Sequence, residues 1–87
     1  MLRVQIGNRH IALYKISGRV FATQAICTHG LALLTDGYLE GGMVECPMHG
    51  GSFDIASGAA MRAPCSIPLE TYPVAIEDGE VRIGLQE

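Results

Sequence analysis

Two short segments carry most of the side chains able to bind a metal in this 87-residue sequence: Cys27-Thr28-His29-Gly30 and Cys46-Pro47-Met48-His49-Gly50-Gly51. Each offers one thiol and one imidazole, as C-x-H and then C-x-x-H, with sixteen residues between His29 and Cys46. A cysteine taken alone is most often a small buried hydrophobe. Two matching loops, each followed by glycine, in a chain with three Cys and three His point instead to one shared ligand set of Cys27, His29, Cys46 and His49. A closed tetrahedral Cys₂His₂ zinc site is one chemistry for that set, although zinc loops usually pair their cysteines in C-x-x-C knuckles and segregate the histidines. The other is a [2Fe–2S] cluster with two Cys on one iron and two His on the next, which suits loops that each mix the two ligand types. Gly30, Gly50 and Gly51 are then expected to turn the backbone tightly and aim N–H groups at the sulfurs, with Pro47 stiffening the second loop.

Composition fits a small domain that needs such a staple. A chain of this length buries only roughly 60–65% of its unfolded surface, so the apolar core alone leaves it marginal. Three cysteines are an odd count and far below disulfide-scaffold density. A net charge of −3 argues against nucleic-acid binding. No apolar stretch approaches the roughly 20 residues of a membrane helix, and Met1-Leu2-Arg3-Val4-Gln5 lacks the order of a signal peptide. The expectation is a soluble cytoplasmic monomer with neither a nucleic-acid nor a membrane partner.

The elements that must position the loops read as strands. Arg3–Ile6, the turn 7–9 and His10–Ile16 form a hairpin, Ser17-Gly18 a second turn, and Arg19–Thr23 a third strand rich in β-branched and aromatic residues. Thr71–Ile76, the turn Glu77-Asp78-Gly79 and Glu80–Leu85 read as another hairpin, with Val81, Ile83 and Leu85 on a buried face alternating with Arg82, Gly84 and Gln86. No window keeps a helical period, so the fold class is all-β. Between Cys27 and Pro68 lie seven of the eleven glycines, three of the four prolines and all three cysteines. This is the composition of a loop-rich head on a strand scaffold. One domain spanning 1–87, with its head at about 25–64, is expected.

The stretch from Cys27 to Gly30, together with Cys46-Pro47-Met48-His49-Gly50-Gly51-Ser52-Phe53-Asp54, resembles the two-part Rieske [2Fe–2S] signature. Leu13-Tyr14, Phe21-Ala22, Asp36-Gly37-Tyr38-Leu39-Glu40-Gly41, Ala63-Pro64 and Thr71-Tyr72-Pro73-Val74 extend the likeness to the small ferredoxins of bacterial aromatic-ring dioxygenase systems, particularly the naphthalene dioxygenase type. The resemblance implies the Rieske fold, an antiparallel β-sandwich base with a small cluster-binding subdomain. It also implies a role: one-electron carriage from a flavin-dependent NAD(P)H reductase to a terminal ring-hydroxylating oxygenase, with no catalysis by the chain itself. The alternatives are a nitrite-reductase-type small Rieske subunit or a zinc-stapled interaction module, whereas an oxygenase α subunit needs a further 2-His-1-carboxylate iron site for which only His10 is left.

Departures from the family pattern carry expectations of their own. Respiratory Rieske proteins bridge their two loops with a disulfide, and the matching positions here are Ala32 and Met48. Those proteins also supply Ser and Tyr hydroxyls where this chain has Gly51 and Phe53. Fewer donors destabilise the added electron, placing the potential near the low end of the Rieske range, roughly −150 mV. The family usually has another strand before the position of Arg3, so an uncovered sheet edge is expected there.

Among the remaining residues, Cys65 reads as a spare, partly buried thiol outside both loops, and Pro64 as part of a segment folded over the cluster. Asp54 is expected to satisfy turn N–H groups, Phe53 to pack beneath the head, and His10 to lie at the surface. The resemblance, to a family whose His-ligated iron is the exposed one, implies that His29 and His49 form the electron exit, rimmed by Met48 and Pro64 in a small docking patch suited to a transient complex.

Overall fold

A computed structural model describes residues 1–48 and 50–85. His49, Gln86 and Glu87 lie outside the described residues, and with them the expectations attached to His49 as a ligand and to Gln86 in the last strand.

The described residues form ten strands: β1 Leu2–Ile6, β2 Arg9–Ile16, β3 Arg19–Gln24, β4 Tyr38–Glu40, β5 Met43–Glu45, β6 Ser52–Asp54, β7 Ala60–Arg62, β8 Thr71–Tyr72, β9 Val74–Glu77 and β10 Glu80–Ile83. The one helical element among the described residues is a single 3-10 turn at Leu34–Asp36. Three antiparallel sheets result, in the orders β1-β2-β3-β8, β4-β5-β6-β7 and β9-β10. The first is the base, the second the head, and the third a hairpin packed on the base. β1 is an edge strand with mostly exposed side chains.

Turn chemistry sets the registers. Ser17 and Gly18 have φ of 50° and 79°, and Asp78 and Gly79 have 52° and 79°. Two consecutive positive φ values make the type I′ turn whose twist matches a two-stranded hairpin, and glycine at the second position takes that conformation without steric cost. Ile16 thereby pairs Arg19, and Glu77 pairs Glu80.

β2 is buried on both faces, and its alternation divides the interior in two. Ile11 and Leu13 point into a small core with Ala22, Tyr72, Val4, Val74, Ile83 and Leu85 between base and hairpin. Ala12 and Tyr14 point the other way, into the main core with Ala25, Leu34, Val44, Phe53, Ile55 and Leu69, where the three cysteines also sit. Phe53 is fully buried beneath the loops, as expected from its place in the motif. Burial of side chains this size contributes roughly 1.5–3 kcal/mol each, so the main core is where base and head are held together.

Two strand expectations need correction. The stretch read as Thr71–Ile76 is broken at Pro73: β8 pairs with β3, whereas β9 pairs with β10. Proline has no N–H for a ladder and so marks the point where the chain leaves one sheet for another. The turn that follows is only Asp78-Gly79, because Glu77 still belongs to β9. Val81 is also 45% exposed, because its cross-strand partner is the exposed Ile76. Only Ile83 and Leu85 of the expected buried face reach the small core.

On the outer face of the head, Glu45, Ser52 and Arg62 lie side by side across β5, β6 and β7. Glu45 and Arg62 form a 3.7 Å ion pair spanning Ser52, whose buried hydroxyl has no hydrogen-bond partner among the described residues. His10 is half-buried rather than fully at the surface, with Nδ1 3.0 Å from Arg3 Nη1.

Candidate metal centre

The two ligand loops are built alike. After β3, the Ala25 N–H donates to the His10 carbonyl and the Leu34 N–H returns to the Ala25 carbonyl, so both strands of the loop grow from the base. An isolated bridge joins Ile26 to Leu33. The Cys27 N–H then donates to the Ala32 carbonyl at 2.9 Å, which closes the loop. The second loop leaves β5 and enters β6, and there the Cys46 N–H donates to the Gly51 carbonyl at 2.7 Å. In both, the cysteine bonds the carbonyl five residues further on, at the root of the loop. This equivalence puts a thiol at the base of each loop.

Burial sorts the ligand types by depth. Cys27 and Cys46 are 4% and 2% exposed and belong to the main core, whereas His29 is exposed at the tip of its loop. The His29 N–H points back at Cys27 Sγ from 3.5 Å. The second-loop glycine behaves otherwise than expected: the Gly50 N–H donates to the Cys46 carbonyl at 3.3 Å. No group of three or more metal-binding side chains is gathered among the described residues, with His49 outside them.

A third segment lies against the first loop, where a fold over the centre was expected, but its cysteine is more deeply buried than expected. After β7 the chain passes a cis Ala63–Pro64 bond, and the Cys65 N–H donates to the Arg62 carbonyl at 3.1 Å. Thr28 Oγ1 then donates to the Ile67 carbonyl at 2.6 Å, tying this segment to the first loop. Cys65 is only 6% exposed, not partly buried, and its Sγ lies 3.9 Å from Cys27 Sγ. Burial, chiefly, together with Cys27 and the charges of Cys27 and Cys46, pushes the Cys65 thiol up to about 12. Its position just after Pro64 was the only sequence signal, since 38 residues separate it from Cys27. None of the three cysteines is in a disulfide.

The donor set fits an iron–sulfur group of the two-thiolate, two-imidazole kind. Thiols at buried loop roots and an imidazole at an open tip would hold one metal deep and another near solvent, a division that a single closed tetrahedral ion does not need. Around the tips, Met48 is exposed as expected and Pro64 is half-buried. Two rim residues went unforeseen: Leu31 is 98% exposed beside His29, and Ile67 is exposed at the junction made by Thr28. Asp54 does what was expected of it, accepting from the Ser57 N–H at 3.0 Å and the Ser57 hydroxyl at 2.6 Å.

Comparison with known proteins gives the same picture. The family model described as Rieske [2Fe-2S] domain matches residues 1–73. Over 85 residues the chain is 46% identical to the ferredoxin component of the naphthalene 1,2-dioxygenase system of Pseudomonas putida, covering 98% of this chain and 82% of that protein. Among solved structures, a ferredoxin of Sphingomonas yanoikuyae B1 superposes with a TM-score of 0.91 at 55% identity, over 95% of this chain and 81% of that one. A chain from the complex of reduced oxygenase and oxidized ferredoxin in carbazole 1,9a-dioxygenase gives a TM-score of 0.91 at 38% identity, over 95% of this chain and 86% of that one. No helix among the described residues is long and apolar enough to cross a membrane.

Proposed function

The chain belongs to the Rieske [2Fe-2S] domain family, and from that we propose that Cys27 and Cys46 bind one iron of its cluster and His29 and His49 the other. The observation that carries this assignment is the shared closure of the two loops, cysteine N–H to the fifth carbonyl on, with buried thiols at both roots. When bound, the cluster supplies one-electron redox chemistry. The protein is a ferredoxin component of an aromatic ring-hydroxylating dioxygenase system, an electron carrier between a reductase and the terminal oxygenase rather than an enzyme. Flavin dependence of the reductase, a cytoplasmic location and a single domain over 1–87 with its head at 25–64 belong to the same reading.

The residues of the chain divide the work. Cys27 and Cys46 lose their protons on binding metal and sit where water is excluded. His29, at the open tip, is where a partner can approach most closely. Leu31, Met48 and Ile67 offer apolar surface around the tips for a small, reversible contact. The acidic balance of the chain suits a basic partner face.

Iron and acid-labile sulfide content, with an EPR spectrum after reduction, tests the reading. Two irons and two sulfides per chain, with an average g below the free-electron value, are expected. A colourless protein carrying stoichiometric zinc would overturn it. Cys27→Ser and Cys46→Ser should each abolish cluster incorporation, read as loss of visible absorbance.

A further inference from the structure

We propose that Cys65 is a positioning residue of the redox centre, its thiol donating an S–H···S hydrogen bond to Cys27 Sγ and thereby raising the reduction potential. The proposal rests on the ligand role of Cys27 given above.

Three observations carry it. The two sulfurs are 3.9 Å apart, within reach of a weak thiol donor. A metal-bound Cys27 has no proton, so the hydrogen must come from Cys65, which fixes the direction of the bond. The thiol is also held in place from several sides. Its own N–H is bonded to the Arg62 carbonyl, and the segment that follows is bonded by Thr28. The sulfur fills the space over Gly51, where an added Cβ would collide with Cys65 Sγ and come within 3.0 Å of its nitrogen and 3.1 Å of its Cβ. Glycine at 51 is thus what admits the thiol, and the thiol stands where a side chain at 51 would otherwise be. With the His29 N–H at 3.5 Å, Cys27 Sγ accepts from two sides. Each donor withdraws electron density from the ligand sulfur and favours the reduced, more negative cluster.

The test is the reduction potential of the iron-loaded protein by film voltammetry. Cys65→Ala and Cys65→Val remove the donor and are expected to lower the reduced-to-oxidised ratio at a fixed electrode potential about three- to tenfold, a shift of about 30–60 mV for one electron. Cys65→Ser keeps a donor and should stay at or above the parent potential while losing thermal stability much as Cys65→Ala does. Pulsed EPR in D₂O should show an exchangeable proton coupled to the reduced cluster that disappears in Cys65→Ala. Potentials unchanged in both donorless variants would overturn the proposal, as would Cys65→Ser shifting with Cys65→Ala. Loss of the cluster in all three variants would make Cys65 a ligand or a folding determinant and overturn it too. Absence of iron and sulfide from the parent protein would instead defeat the cluster assignment itself.

Discussion

Thr23 has one proton to give and gives it to the Gln24 carbonyl at 2.9 Å, so its 2.8 Å contact with Tyr14 runs from the phenol to Thr23 Oγ1. Both groups are fully buried in the base. Burial raises the Tyr14 pKa above its ordinary 10.0, and burial raises Tyr72 as well. Below about pH 10 the phenol keeps its proton in folded and unfolded chains alike, and stability is flat in this respect. Above it the unfolded phenol ionises first, so stability falls as pH rises toward and through the raised folded value. Urea midpoints measured from pH 7 to 11 should show this alkaline loss. Tyr14→Phe should make the slope shallower while costing about 1 kcal/mol at pH 7 through the lost bond. At this scale spacing singles out Cys27, His29, Cys46 and His49 as ligand candidates, and the role of Asp54 was legible from its place before a turn. The contact of Cys65 was not legible, because apart from its place after Pro64 nothing local marks a thiol that lies against a sulfur 38 residues away.

The loops themselves behave as two copies of one device, each rooted by a cysteine N–H bonded five residues on. In the first, Leu31 lies almost wholly in solvent. A side chain so exposed contributes nothing to packing in the free protein, so its replacement reads out binding alone. Leu31→Asp is expected to raise the KM for the ferredoxin in oxygenase reduction roughly tenfold, about 1.4 kcal/mol, with the visible spectrum and melting temperature unchanged. An unchanged KM would move the docking surface away from this tip. Strand positions were legible from alternation and turn residues, and the I′ turns at Ser17-Gly18 and Asp78-Gly79 follow directly from them. The break at Pro73 was misread even though proline carried the signal, because the apolar residues around it continue smoothly from one sheet to the next.

Across the whole molecule, the cysteines that would bind metal are also members of the main core that joins base to head. Metal binding and folding are therefore coupled. Removing iron with a chelator under reducing conditions is expected to lower the melting temperature by about 10 °C or more, since a domain of this size loses about 4–8 °C per kcal/mol. A melting temperature unmoved by iron removal would show that the apolar core suffices alone. The all-β architecture was legible from strand alternation, turn residues and the lack of a helical period. The two separate cores were not, because a strand buried on both faces reads simply as an apolar run.

That double burial of β2 limits how the chain can change in length. Ile11 and Leu13 serve one core while Ala12 and Tyr14 serve the other. A one-residue insertion inside this strand would exchange the two sets, pressing Tyr14 into the space of an isoleucine and turning its phenol away from Thr23. Insertions and deletions among descendants of this sequence should therefore collect in the exposed tips and turns. β2 should keep its count of eight residues even where its side chains drift.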